Sequence, residues 1–317
     1  MKNMILFDWL SFTSKVHSPQ NIIDMLGLAS VSWQTLKGAQ GYQERLYYDK
    51  ISIHFNGRED MGVWCEMSGQ GCRSFETHGH GDYYYLFNEI LSHGKEMNIT
   101  RLDIAYDDHE GILDINTLCL DTYNQNFVAR FNDWEVIYSS KGNSILHGSK
   151  SSEIIVRIYD KAKERKMDDD VHWVRVELQL RRDRAVSFAN QFVMEQVGEE
   201  VDFDLIGRAF SGVLNNYLRY VEPNPKDRDK HRWRLRDYWE QLLTSSCVVK
   251  LFQKPGTDYN LEHLERFVFK QAGNAIATYL EIMGEDDFRE KLKNRGTAPN
   301  AKYTALKEKC YRDPIIR

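Results

Sequence analysis

Polar side chains recur at strand spacing in three short segments, and their types suit chemistry on a phosphate. In Arg101-Leu-Asp-Ile-Ala-Tyr-Asp107, period-two alternation puts Leu102, Ile104 and Tyr106 on one face and Arg101, Asp103, Ala105 and Asp107 on the other. In Val156-Arg-Ile-Tyr-Asp-Lys161, Val156 and Ile158 share a face, with Arg157, Tyr159 and Lys161 opposite. In Val174-Arg-Val-Glu-Leu-Gln-Leu180, the valines and leucines face one way and Arg175, Glu177 and Gln179 the other. With the apolar faces packed on helices, the far side of the sheet displays Asp103, Asp107, Arg157, Tyr159, Arg175, Glu177 and Gln179 together. A solvated face of an antiparallel sheet is also polar. Against that plainer reading stands the supply of carboxylates, arginines and a tyrosine by three strands at once.

Carboxylate oxygens are hard ligands, so Asp103, Glu177 and Asp107 could hold a divalent cation such as Mg²⁺ or Mn²⁺. Such an ion polarises a phosphoryl oxygen, and arginines grip phosphate oxygens bidentately. A tyrosine hydroxyl is a weak nucleophile at its ordinary pKa of ~10, and a nearby cation strengthens it. Its attack on a phosphodiester keeps the bond energy in a phosphotyrosine, so a cut strand can be rejoined.

The elements that would carry these residues follow from pattern and punctuation. Strands are expected at 7–14, 42–55, 62–68, 100–107, 134–138, 144–147, 154–159 and 172–180. The 42–55 and 62–68 runs read as a hairpin turned at Asn56-Gly57. Ser18-Pro19 caps a helix over 20–26, and further helices are expected at 82–91, 114–124 and from 185. After residue 204 the pattern is helical, at 204–220, 231–245, 261–283, 287–293 and 302–310, with Pro223 and Pro225 in a linker. The fold class expected is α+β, with a mostly antiparallel sheet, helices on one face and a helical C-terminal region.

Composition removes several alternatives. The 317 residues suit one large domain or two ordinary ones. No stretch approaches ~18 uncharged apolar residues, so no membrane partner is expected. The N-terminal apolar run meets Asp8 too soon for a signal peptide, and a cytoplasmic protein is expected. The cysteines at 65, 72, 119, 247 and 310 form no C-x-x-C pair, which excludes a zinc ribbon and suits reduced thiols. No G-x-x-x-x-G-K-[ST] is present, so no P-loop helicase is encoded. A net charge of −5, taken as a mean, argues against DNA. Yet residues 141–184 hold eleven Lys/Arg against eight Asp/Glu, and 226–236 six against two. Cationic charge is therefore local, which fits specific, salt-sensitive DNA binding.

Other features have two readings each. Gly69-Gln-Gly-Cys-Arg73 is either a phosphate-cradling loop or a tight hairpin turn. His78-Gly-His80 suits a turn better than a ligand pair. Cys72 suits a buried small side chain, and His109 an exposed turn. Tyr83-Tyr-Tyr85 suits packing, with base stacking by one ring as the alternative. Lys226–Arg236, with Arg232, Arg234 and Arg236, is either a DNA-recognition surface or a solvated charged linker. The helix at 261–283 reads as core or dimer surface.

At these residues the chain resembles the trans-acting Rep family of rolling-circle replication initiators, which includes related conjugative relaxases. The matching segments are Asp8-Trp-Leu-Ser-Phe-Thr13, Glu66-Met-Ser-Gly-Gln-Gly-Cys-Arg-Ser-Phe-Glu76, Arg101-Leu-Asp-Ile-Ala-Tyr-Asp-Asp108, His147-Gly-Ser-Lys-Ser-Ser152, Arg157-Ile-Tyr-Asp-Lys161 and Arg175-Val-Glu177. Their order and spacing agree over residues 8–200. The resemblance implies TBP-like or ferredoxin-like βαββαβ units, doubled. It implies a metal-dependent, site-specific nicking and strand-transfer enzyme.

By the same resemblance, Tyr159 would attack the phosphodiester, hold the 5′-phosphate and release a 3′-OH primer. Asp103 and Glu177, with Asp107 behind them, would be the metal or acid–base carboxylates. Arg157, Arg175 and Lys161 would bind phosphates. Arg73, Lys150, Arg181 and Arg182 complete the expected DNA contacts. Expected partners are origin DNA, single-stranded or cruciform at the nick site, with host helicase and polymerase, and a second copy of the chain.

Residues 1–203 would be the catalytic domain and 204–317 a region for origin recognition or dimerisation. The chain begins at the first catalytic strand, without the helix-turn-helix of some relaxases, and departs from the His-hydrophobe-His metal motif of other rolling-circle enzymes. A replication initiator is thus the first expectation and a relaxase the second. A non-catalytic DNA-binding regulator is the alternative of another class, and the presence of Tyr159, Asp103 and Glu177 speaks against it.

Overall fold

The computed structural model of the chain describes residues 2–168, 170–194, 205–247, 265, 268–269 and 273–294. Its centre is a ten-stranded, wholly antiparallel sheet made of two halves with the same connectivity. The first half is a long strand β1 (Met4–Ser14), a helix α1 (Pro19–Leu26), a meander of β2 (Gln34–Lys37), β3 (Glu44–Tyr48), β4 (Ile51–Phe55) and β5 (Val63–Ser68), and a helix α2 (Gly69–His78). A helix α3 (Tyr83–Ser92) leads into the second half. This comprises β6 (Met97–Asp108), α4 (Ile115–Tyr123), a short β7 (Phe127–Ala129), then β8 (Trp134–Ile137), β9 (Ser144–His147), β10 (Ile154–Asp160), one helical turn α5 (Lys161–Glu164), β11 (Val174–Arg181) and α6 (Asp183–Met194). The sheet order is β2-β3-β4-β5-β1-β6-β11-β10-β9-β8. The first strand of each half therefore meets the other at the centre, and the expected α+β fold with doubled units is present.

Local chemistry sets the boundaries. Ser18 and Asn21 form a reciprocal capping box at α1, which ends on Gly27 at φ 71°. Asp82 and Asp114 cap α3 and α4. The 42–55 run is two strands, not one. Asp49 and Lys50 both take positive φ (37° and 68°) and close a two-residue turn between β3 and β4. Asn56, at φ 54°, turns the chain in the loop between β4 and β5. The glycine-rich 69–73 segment, expected as a turn or phosphate cradle, is the first part of α2.

One sheet face is apolar and covered. Phe7, Leu10, Phe12, Leu102, Ile104, Tyr106, Val176 and Leu178 are fully buried there, beneath α2, α3 and α6. The helices α7 (Leu205–Tyr217) and α8 (Asp237–Ser246), with a short strand β12 (Leu218–Tyr220) between them, join the same body. β12 pairs with β7, Phe210 stacks on Tyr106, and the Tyr106 hydroxyl meets Ser245 Oγ at 2.9 Å. The 204–220 helix thus gives way to a strand. The 231–245 helix starts at Asp237, because residues 221–235 form a loop closed by a Val221–Leu235 bridge.

The chain divides into two compact units, Met1–Lys254 and Pro255–Arg317, so the first continues past the expected boundary at 203/204. In the second, α9 (Gly273–Met283) and α10 (Glu285–Lys293) are joined by Tyr279 donating to Asp287 at 2.6 Å. The expected helix at 302–310, most of residues 261–272 and Cys310 lie outside the described residues.

Candidate active site

The register of the sheet places the polar residues in rows across β6, β11 and β10. Asp107 pairs with Arg175 and Arg175 with Tyr159. Ala105 pairs with Glu177 and Glu177 with Arg157. Asp103 pairs with Gln179, and Arg101 with Arg181. Paired residues of an antiparallel sheet project to the same side, so all stand on the face opposite the helices.

Tyr159 sits at the end of this array. Its hydroxyl donates to Glu177 Oε2 at 3.2 Å and accepts from Lys161 Nζ at 3.2 Å. Lys161 is buried in the first turn of α5 and also pairs with Glu164. The other Glu177 oxygen accepts from Arg157 Nη1 at 3.2 Å. Burial first, and the Glu177 charge second, hold the Tyr159 phenol well above its ordinary pKa. The resting phenol is protonated, with a carboxylate in place to receive that proton and an ammonium beside the oxygen.

The other two carboxylates differ. Asp107 is fully buried and takes both Arg175 Nε and Nη2, at 2.6 and 2.7 Å. Arg175 Nη1 reaches Asp8 at 2.9 Å. Asp107 was expected as a metal ligand; both its oxygens instead hold Arg175. Arg175, expected on phosphate, is itself buried between two carboxylates and braces the sheet beneath Tyr159. Asp103 is 2% exposed and is held by Arg101, which lies 4.2 Å above the Trp9 ring. Burial outweighs Arg101, and the charges of Glu177 and Asp8 add to it, so the Asp103 carboxyl is pushed up to about 7. Glu66, on the same face across Ser11 from Arg101, is also raised by burial. Both Asp103 oxygens hold Arg101, and the two Glu177 oxygens meet Arg157 and Tyr159. These oxygens are of the hard type that a divalent cation takes, and binding one would require them to release those partners.

The expected DNA contacts divide into two groups. Arg181 extends the open face, bonds the Lys150 carbonyl, and has its pKa lowered by burial and by Arg101, Arg157 and Arg182 nearby. Lys150 and Arg182 are exposed beside it. Arg73 lies elsewhere: it is largely buried and binds Glu76 and the Phe7 carbonyl. Three arginines of the basic 226–236 segment are met by carboxylates within it and beside it. Arg232 pairs with Asp227 and Asp229, Arg234 with Asp237, and Arg236 with Asp121.

Sequence reasoning assigned no role to Asp8, Trp9, Arg101 or Glu66. Asp8 is the extra residue of a β-bulge, since Phe7 pairs with Ile104 and Trp9 with Asp103. Alternation cannot reveal a residue that breaks it. Arg101 and Glu66 did alternate in phase with the polar face, which was the available signal.

Comparison with known proteins gives a consistent result. Residues 97–294 match the family described as "Replication initiation factor", and residues 4–89 match "Rolling Circle replication initiation protein N-terminal domain". The chain is 27% identical over 273 residues to a Bacillus subtilis (strain 168) protein named "Putative DNA relaxase NicK", covering 80% of this chain and 74% of that one. It is 28% identical over 158 residues to a replication initiation protein of Staphylococcus aureus, covering 47% of this chain and 46% of the relative. The solved structure of a rolling circle replication initiator protein from Geobacillus stearothermophilus superposes with a TM-score of 0.71 at 31% identity. That match covers 79% of this chain and 99% of the other.

Proposed function

The chain belongs to the replication initiation factor family of rolling-circle proteins, and from that premise we propose that it nicks one strand of a DNA origin with Tyr159 and later rejoins it. The observation that carries this reading is the Tyr159 hydroxyl held 3.2 Å from both Glu177 and Lys161 on a face lined with arginines.

The chemistry follows from those contacts. The Tyr159 oxygen attacks the phosphorus while its proton passes to Glu177. Lys161 offsets negative charge on the tyrosine oxygen. The bond from phosphorus to the 3′-oxygen breaks, and that oxygen takes a proton from solvent to become a free 3′-OH, leaving the tyrosine proton on Glu177. The 5′-phosphate stays on Tyr159 as a diester. Rejoining runs the same steps backwards, with Glu177 returning the proton. Arg157 receives a phosphate next to the cut, and Arg181, Arg182 and Lys150, at the far end of β11, receive phosphates further along the strand. Arg175 and Asp107 keep β11 and β6 in register beneath the nucleophile. Asp103 and Glu177 would hold Mg²⁺ or Mn²⁺, which supplies charge neutralisation at the attacked phosphate.

A replication initiator and a transfer relaxase share this chemistry. The similarity to a Staphylococcus aureus replication initiation protein and to a solved rolling-circle initiator favours the first. The longer match to the Bacillus subtilis protein named as a relaxase favours the second. Supercoiled plasmids bearing either candidate origin, incubated with the protein and Mn²⁺, test both. Nicked circles with covalently bound protein are expected on one of them and are expected to vanish with chelator. No adduct on any origin would favour a DNA-binding regulator without catalysis.

A further inference from the structure

Away from the open sheet face, three ligand-type side chains converge. His17 lies in the loop after β1, and Glu89 and His93 lie one turn apart at the C-terminal end of α3. One ligand atom from each is within 4.8 Å of the other two. The two imidazole rings are 5.0 Å apart and inclined at 71°. All three residues are half-buried, so the place is walled yet open to an ion.

Hydrogen bonds orient the rings. His93 Nδ1 lies 2.8 Å from the Glu89 carbonyl oxygen, which can only accept. The Nδ1 of a neutral His93 therefore carries the proton, and Nε2 keeps its lone pair. His17 Nδ1 is engaged by Ser14 Oγ at 2.9 Å, so its Nε2 is the other free edge. Ser14 Oγ also accepts from the Val16 and His17 amides, which fixes the loop. One ring nitrogen anchored and the other presented is the arrangement of metal-binding histidines.

We propose that His17, Glu89 and His93 bind a zinc ion that ties the end of β1 to α3. Two imidazoles and a carboxylate suit Zn²⁺, with bonds of ~2.0–2.2 Å and a fourth position for water. Tetrahedral bonds of that length set ligand atoms roughly 3.3–3.6 Å apart, within reach of small side-chain rotations from the present spacing. Mg²⁺ prefers oxygen ligands and would take the carboxylates of the open face instead. This centre is thus separate in ligand type and place from Asp103 and Glu177.

The test uses the full chain, stripped of metal by a chelator and titrated with Zn²⁺ in excess Mg²⁺ against a chromophoric competitor, with Co²⁺ in parallel. One Zn²⁺ per chain is expected, with a visible tetrahedral Co²⁺ spectrum and a thermal midpoint raised by Zn²⁺. His17→Gln and His93→Gln should each weaken binding about tenfold or more, and the double variant should lose the Co²⁺ spectrum. Circular dichroism checks that these variants fold; Glu89→Gln, on the surface of α3, serves if either does not. Unchanged binding in the substituted protein, or no uptake by the wild type, would overturn the proposal.

Discussion

At the residue scale, the account turns on one hydroxyl and the groups that move its proton. Glu177→Gln keeps the shape of the side chain and removes the proton acceptor, so nicking should slow by about 10²–10⁴-fold. Single-turnover cleavage of an origin oligonucleotide measures this, and an unchanged rate would exclude Glu177 as base. A second titratable residue governs stability. His147 is fully buried, with Nε2 on Tyr220 at 3.0 Å and no partner for Nδ1 among the described residues. Burial lowers its pKa to about 3, from 6.5. Between those values the unfolded chain binds a proton that the folded chain refuses, so stability falls as pH drops below about 6.5. Thermal midpoints recorded between pH 7.5 and 5 should decline, and decline less steeply in His147→Gln. Tyr159, Glu177, Arg157 and Asp103 could be gathered from the sequence because alternation survives in β6, β10 and β11. Lys161 was expected on phosphate, and only the three-dimensional contact shows it on the tyrosine oxygen. Arg73 was misplaced because sequence cannot tell a buried arginine on Glu76 from an exposed one.

At the element scale, α2 is instructive. Two glycines within three residues are poor helix formers, which is why the segment reads as a turn. Close approach to backbone requires glycine at 71, and at 69 the neighbour is the Asp8 carboxylate. A Cβ on Gly71 would stand 2.5 Å from the Lys50 carbonyl oxygen, and one on Gly69 would stand 2.6 Å from Asp8 Oδ1. Packing therefore overrides propensity here. Gly69→Ala should push Asp8 off Arg175 and destabilise the protein by about 1–3 kcal/mol, read by urea denaturation. Asp8→Ala should relieve part of that cost, so the pair should be non-additive; additivity would show that Gly69 serves some other contact. The Asp49-Lys50 turn escaped notice for a related reason. Positive φ is expected of glycine or asparagine, and here tertiary pairing of β3 with β4 imposes it on aspartate and lysine.

At the scale of the whole molecule, charge is distributed by location rather than by sum. The 226–236 segment looks basic in sequence, but Asp121, Asp227, Asp229 and Asp237 meet three of its four arginines. The cluster of Lys150, Arg181 and Arg182 at the far end of β11 from Tyr159, with Arg157 between them, draws instead on residues separated in sequence and joined by β10 and β11. DNA affinity should therefore fall with salt, and each of Arg181→Ala and Arg182→Ala should reduce the slope of log K against log salt by about one. Arg232→Ala should leave the slope unchanged, and equal effects at all three positions would restore the 226–236 segment as the main contact. The most direct measurement concerns the nucleophile itself. The protein is trapped on a nicked origin oligonucleotide, digested with nuclease and trypsin, and read by mass spectrometry. Cleavage after Arg157 and Lys161 isolates residues 158–161, and a nucleotide 5′-phosphate on Tyr159 within that tetrapeptide is the predicted result. A nucleotide on any other tyrosine, or an adduct that persists in Tyr159→Phe, would contradict it.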